Sequence, residues 1–300
     1  MLSKRPKTQP LAASALAPAG YADGGFDAGH IGGFDRRTDL GISMRNIRLR
    51  LAYDGTAYAG WQRQPLPQGM TVQYRLEQAL SALFREQIVV TGAGRTDSGV
   101  HALGQTANFY CHKPVPVENI PLALNHKLPP DIRVLSAEEV PMSFHARYDA
   151  KSKTYRYLIQ RQARANPFTY RYAWTMEEDL DAAAMRQGAG YLLGSHDSRH
   201  YAASGVSASH FVRNITELRI DEPPQPPTLF PWEYVCRPLT VTVTADGFLY
   251  RMVRLITCRL AAVGLGKIPP EAMADFLQGW PGPNIAMAPA QGLTLMEVEY

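Results

Sequence analysis

From Met44 onward, apolar and polar positions alternate with a period of two in some stretches and near 3.6 in others. Ile47, Leu49 and Leu51 alternate with Arg48 and Arg50, the pattern of a half-buried strand. Thr71 stands where a helix needs its N-cap, ahead of Val72, Leu76, Ala79, Leu80 and Leu83 on one helical face. Residues 104–110 (GQTANFY) and 154–160 (TYRYLIQ) read as strands, and Leu180–Leu193 reads as a helix ended by Gly194. Ile215–Ile220 and Leu239–Thr244 alternate again. Phe248–Val263 is an amphipathic helix with Phe248, Met252, Leu255, Ile256 and Val263 on one side and Gly264 as its stop. A short helix is expected after Pro269 and Pro270, ending near Gly279, and Leu293–Tyr300 alternates as a closing strand.

Helices interleave with strands that also come in pairs, which favours an α+β fold over a doubly wound parallel sheet. A shift in composition near residue 150 divides the ordered chain into halves, 44–150 and 151–300. The Pro-rich run 221–233 (DEPPQPPTLFPWE) is a loop or an excursion between strands. Residues 1–43 are rich in Gly, Ala and Asp without either period and are expected to be a disordered extension. An organelle transit peptide is the functional alternative, but Asp23, Asp27, Asp35 and Asp39 are against it. Because order begins at Met44, that residue is also a candidate translation start.

The chain has 300 residues, 45% of them hydrophobic, enough for a sizeable core in one large domain or two ordinary ones. The net charge of +4 permits a polyanionic partner without demanding one. Cys111, Cys236 and Cys258 are few, odd in number and far apart, so neither a disulfide framework nor a zinc spacing is expected, and the reading is a reducing cytoplasm. No apolar run approaches the ~20 residues that span a bilayer. Leu11–Ala19 is too weakly apolar, and interrupted by Pro18, to be a signal peptide. No membrane is expected as a partner.

Three segments carry candidate chemistry. Thr91–Gln105 (TGAGRTDSGVHALGQ) gathers Gly92, Gly94 and Gly99 around Arg95, Asp97 and His101 in a turn-rich loop before a strand, the kind of loop that presents catalytic groups from a rigid sheet. On spacing alone it serves equally as an ordinary loop with a solvated Asp–Arg pair. A dinucleotide loop fits poorly, because Asp97 occupies the third glycine's place. A Ser98–His101–Asp97 triad would lack its usual elbow. His145–Tyr172 (HARYDAKSKTYRYLIQRQARANPFTYRY) interleaves seven Lys and Arg with five tyrosines against the single acid Asp149. Cations for phosphates beside faces for bases are the footprint of splayed RNA; a guarded edge strand is the bland alternative. In Phe248–Arg259 (FLYRMVRLITCR), Arg251 and Arg254 share a helix face, either over water or phosphate, or with one turned inward onto a carboxylate. His196 and His200 have zinc-helix spacing, but Gly194 has already ended the helix and no third ligand is evident, so surface and loop histidines are the plainer reading.

Read in order, these segments resemble the TruA family of tRNA pseudouridine synthases across nearly all of Met44–Tyr300. The resemblance runs through Met44-Arg-Asn-Ile, Tyr53-Asp-Gly-Thr-x-Tyr58-x-Gly-Trp61-Gln62, Gly94-Arg-Thr-Asp-Ser-Gly-Val-His-Ala-x-Gly-Gln105 and Ser143-Phe-His-Ala-Arg147. It continues through Lys153-Thr-Tyr-Arg-Tyr157, His196-Asp197, Val212-Arg213, Met252-Val-Arg254 and Ala288-Pro-Ala-x-Gly-Leu293. The family implies two similar RRM-like or ferredoxin-like halves that form one extended antiparallel sheet, with helices on one face and an RNA-binding cleft. It implies a homodimer acting on the tRNA anticodon arm, isomerising uridines at positions 38, 39 and 40 to pseudouridine without cofactor or metal. By the same resemblance Asp97 is the catalytic carboxylate, held in its charged form by Arg254, and Tyr155 stacks on the flipped uracil. Arg95 holds the vacated space or grips a phosphate, and Leu293 or Leu295 forms an apolar floor.

The chain departs from the family pattern at Ser198, at Leu255 and Cys258, and at Asn284-Ile-Ala-Met287. These positions bear on tRNA contacts and uridine choice rather than on the reaction. The rival readings are a catalytically silent RNA-binding protein on the same paired sheets and a zinc hydrolase at His196 and His200.

Overall fold

The structure, a computed structural model, describes residues 43–64, 69–161, 165, 167–203, 210–222 and 238–300. The expectations for residues 1–42, for most of the Pro-rich run and for Cys236 lie outside these. Strand β1 (Arg45–Tyr53) is followed by helix α1 (Val72–Phe84), β2 (Val90–Gly92), β3 (His101–Cys111), α2 (Ile120–Asn125) and β4 (Ile132–Val140). The second half begins with β5 (Ser152–Arg161) and β6 (Trp174–Met176), then α3 (Ala182–Gly190), β7 (Gly194–Asp197) and β8 (Val212–Asp221). It closes with β9 (Leu239–Ala245), α4 (Met252–Gly264), α5 (Ala272–Leu277) and β10 (Leu293–Glu299).

Among the described residues the ten strands form one mostly antiparallel sheet in the order β4-β1-β3-β10-β5-β9-β8-β7, so the fold is mixed α+β. β2 pairs with β3 and β6 with β5. Each half repeats the same order: β4-β1-β3-β2 in the first and β10-β5-β9-β8 in the second. The halves join where β10 runs parallel to β3 for two pairs, Thr294 with His101 and Leu295 with Ala102. On that same edge of β3, β2 pairs farther along, from Val90–Phe109 to Gly92–Ala107. One edge is therefore shared end to end by β2 and β10, and the chain between β2 and β3 must leave the sheet at the seam.

The alternation in β1 buries Ile47, Leu49, Leu51 and Tyr53 in a cluster that includes Val72, Leu76, Leu80 and Phe84 of α1. Thr71 caps α1 as expected, its Oγ1 accepting from the Tyr74 amide at 3.3 Å. Two α1 residues outside the apolar stripe, Gln73 and Glu77, are also buried. The Gln73 amide donates to the Val90 carbonyl and Glu77 accepts the Val90 amide, which clasps β2 to the helix.

The reading of Phe248–Val263 as one helix is corrected at its start. α4 begins only at Met252, because Arg251 takes a left-handed backbone with φ 60°. Arg251 and Arg254 are therefore not two positions on one helix face. α3 is shorter than read, with Asp181 as its N-cap and Gly194 (φ 93°) opening β7 rather than ending a helix. β4, α2 and the short strands β2, β6 and β7 carry too few periodic positions to be read from the chain.

Candidate active site

The loop from Ala93 to Val100 crosses the seam between the halves and is pinned from the first half. Its Thr96 carbonyl accepts from the Trp61 amide at 3.0 Å, and Thr96 Oγ1 hydrogen-bonds the Tyr53 hydroxyl at 2.9 Å. Gln105 Nε2 donates to the Gly94 carbonyl at 3.0 Å, and Ser98 Oγ to the Tyr58 carbonyl at 3.1 Å. Gly99 has φ 79°, a conformation that costs an L side chain strain. Gly92 is needed for another reason: a Cβ there would run into the Trp61 indole. The segments Tyr53–Gln62 and Gly92–Gln105, far apart in sequence, thus form one scaffold. His101 belongs to it, with Nδ1 accepting from the Gly55 amide at 3.0 Å and Nε2 2.9 Å from the Arg171 carbonyl.

At the tip of this loop the Asp97 carboxylate faces the second half. Arg254 Nη1 lies 3.3 Å from its Oδ2, and Arg251 Nε lies 3.9 Å from the same oxygen. Asp97 and Arg254 side chains are 19% and 13% exposed, so the pair is partly withdrawn from water. Arg254 is also anchored from behind, its Nε donating to the Ala288 carbonyl at 2.7 Å. That bond gives the Ala288-Pro289-Ala290 segment a physical role, and the Pro289 carbonyl similarly accepts the Tyr157 hydroxyl at 2.7 Å. Arg251 is 39% exposed and lies over the Tyr250 ring at 4.7 Å. Its left-handed backbone, rather than helical spacing, brings it to Asp97.

Tyr155 is 7% exposed and meets Phe248 edge-on at 5.1 Å between ring centroids. Burial, and then the nearby Tyr53 and Asp97, push its phenol up from the ordinary value, so the hydroxyl stays neutral. Tyr53 is likewise pushed up to about 12 by burial. Across the ladder Leu295 stands opposite Tyr155 and Leu293 opposite Tyr157, both leucines buried. The fold thus gathers Asp97, Arg254, Tyr155, Leu293 and Leu295 around the seam. Arg95 points elsewhere, its Nε donating to Gln62 Oε1 at 3.1 Å in an exposed setting. Reading the sequence missed the supporting groups Tyr53, Thr96 and Ala288, whose contributions are backbone or buried contacts without a local signature.

A family model described as tRNA pseudouridine synthase matches residues 51–149 and 189–300, which hold Asp97, Arg254 and β10 but not β5 with Tyr155. The chain belongs to the tRNA pseudouridine synthase family. It is 43% identical over 261 residues to the tRNA pseudouridine synthase A of Moorella thermoacetica, covering 86% of this chain and all of that protein. It is 40% identical over 260 residues to the enzyme of the same name from Geotalea daltonii, again with 86% and 100% coverage. The Thermoanaerobacter sp. X514 enzyme is 39% identical over 258 residues, at the same coverage. Members of this pseudouridine synthase family are isomerases that turn uridine into pseudouridine in tRNA.

The zinc reading of His196 and His200 loses its geometry. His196 lies in β7 with Nε2 2.8 Å from the Leu193 carbonyl, and His200 sits in a separate single turn, Arg199–Tyr201. Among the described residues no group of three His, Cys, Asp or Glu could hold a metal, and no helix is long and apolar enough to cross a membrane. The tyrosine-rich basic segment divides by face: Tyr155 and Tyr157 are core, whereas Tyr148, Tyr170 and Tyr172 are exposed. Of the departures from the family pattern, Ser198 and Cys258 are buried; Ser198 Oγ donates to the His196 carbonyl, and Cys258 Sγ to the Leu255 carbonyl.

Proposed function

We propose that this chain isomerises uridines at positions 38, 39 and 40 of the tRNA anticodon arm, with Asp97 as the catalytic carboxylate. The observation that carries the reading is the Asp97 side chain held at the seam by Arg254 at 3.3 Å, beside the Tyr155 ring. The target nucleotide leaves its stack and enters the seam. Asp97 then either attacks C1′ or takes a ribose proton; both routes break the C1′–N1 bond and release the uracil from the sugar. The uracil turns and C5 bonds to C1′, displacing the Asp97 oxygen in the first route, or with Asp97 returning the ribose proton in the second; the proton on C5 is then lost and N1 ends protonated. Atoms and electrons balance within the nucleotide, so the reaction itself calls for no cofactor.

In this reading Tyr155 stacks on the uracil, Leu293 closes the apolar floor and Arg254 orients the carboxylate. Arg95, exposed beside Gln62, holds the vacated position in the RNA or grips a phosphate. The repeated strand order supports two RRM-like halves with the RNA cleft between them, divided at 150/151. The enzyme works as a cytoplasmic homodimer. Mapping pseudouridine in an unmodified tRNA with uridines at 38, 39 and 40 tests the proposal. Product from the wild type and none from Asp97→Ala is the expected result; product from both removes Asp97 from the chemistry.

A further inference from the structure

Beside the seam lies a group of cations that the reaction does not use. Lys153 precedes Tyr155 by two residues on the same face of β5, about 7 Å away along the strand. Its amine packs against the loop that carries Asp97, since a Cβ on Gly94 would sit 3.7 Å from Lys153 Nζ. Arg213 of β8 comes in from the other side under Gly247, where a Cβ would sit 3.5 Å from Arg213 Nε. Arg213 Nη1 is satisfied by the carbonyls of His210 and Val212, but its Nε–H is buried without a partner. Arg147, exposed ahead of β5, is the third cation whose field reaches Lys153.

Such a grouping is costly in an empty protein. Among the described residues the buried Arg213 Nε–H has no hydrogen-bond partner, which is uncommon, and the half-buried Lys153 lies in the field of two further cations. Opposite Lys153 on β9 and β10 stand Ala245 and Val298, which offer no charge. Gly94 faces it from the loop, so the charges acting on it are those of Arg147 and Arg213. Burial and then these two arginines push the Lys153 ammonium down to about 8.

We propose that Lys153, Arg213 and Arg147 form a subsite for one backbone phosphodiester of the RNA, next to the nucleotide that enters the seam. An anion there would neutralise the mutual repulsion of the three cations and fix the register of the strand on which Asp97 acts. The subsite rests on the pseudouridine synthase reading of the seam, because it assigns the anion to that substrate.

Bound phosphate favours the charged lysine, so binding raises its pKa. Affinity is therefore full below about 8 and falls as pH rises through that value. The test is equilibrium binding of an unmodified tRNA transcript to wild type, Lys153→Met, Lys153→Arg and Arg213→Gln, across salt concentration and at about pH 7 and about pH 9. Lys153→Met should bind about tenfold more weakly and lose between 0.7 and 0.9, roughly one phosphate, from the slope of log affinity against log salt. Arg213→Gln should lose a similar slope, which keeps the test open if one variant folds poorly. Lys153→Arg should bind as wild type near pH 7 and escape the weakening near pH 9, because arginine stays charged. Wild-type affinity and slope in both Lys153→Met and Arg213→Gln would overturn the subsite, as would an unchanged pH dependence in Lys153→Arg. A wild type that neither binds nor converts the tRNA would instead remove the functional reading, and the subsite with it.

Discussion

Replacing Arg254 by Gln keeps most of the side-chain volume and removes the charge 3.3 Å from Asp97. At that separation, and with an effective dielectric near 20, the gross attraction is about 5 kcal/mol. The net loss is smaller for two reasons. Water reaches a carboxylate that is 19% exposed, and Arg251 remains 3.9 Å away to take up part of the charge. We expect a loss of about 2–3 kcal/mol of transition-state stabilisation, or roughly 30- to 150-fold in the rate of the chemical step. Arg254→Lys should fall between, since one ammonium cannot reach Asp97 while also replacing the Nε bond to the Ala288 carbonyl at 2.7 Å. Arg251→Gln should cost about fivefold at most and less in high salt, because that side chain is 39% exposed and screened. As each arginine partly covers for the other, the double variant should lose more than the product of the single effects. The assay is single-turnover pseudouridine formation at saturating enzyme, with tRNA binding and melting temperature measured alongside. An Arg254→Gln enzyme with wild-type single-turnover rate, or one that loses only tRNA affinity, would refute the carboxylate-orienting role and leave Arg254 as a binding residue.

Asp97→Asn should abolish pseudouridine formation while tRNA affinity stays within a few-fold, because affinity comes from phosphates and stacking; a filter-binding titration beside the activity assay checks this. Tyr155→Phe should change turnover little, whereas Tyr155→Ala should lose activity and about 3–5 kcal/mol of stability through a cavity beside Phe248, read by denaturant unfolding. Unchanged activity in Tyr155→Ala would mean that another ring stacks on the uracil. Gly92→Ala forces a methyl into the Trp61 indole and should lower the melting temperature by several degrees or yield insoluble protein; a wild-type melting curve would contradict the packing described.

The alternating positions of β1, β5, β8, β9 and β10, and the capped stripe of α1, were legible along the chain because half-buried strands and amphipathic helices leave a local period. The same holds for the mixed α+β class; the loop that presents Asp97 was legible as a Gly-rich turn before a strand, and only its resemblance to the family set it apart from an ordinary loop. Nothing local could say that Arg251 stands outside α4. A left-handed residue has the same neighbours in sequence as a helical one, and the tertiary structure alone shows the turn at Arg251, between exposed Tyr250 and buried Met252. Nor does any spacing reveal that Glu77 and Gln73 turn inward to hold β2, since both lie outside the apolar stripe of α1. The seam itself is the clearest case. β3 is shared end to end by β2 and β10, whose residues lie some two hundred positions apart, and this long-range pairing alone sets Asp97 against Arg254 and Tyr155. The residues proposed for the chemistry could be named from the sequence through its resemblance to the family; their distances follow from how two halves close around one strand edge.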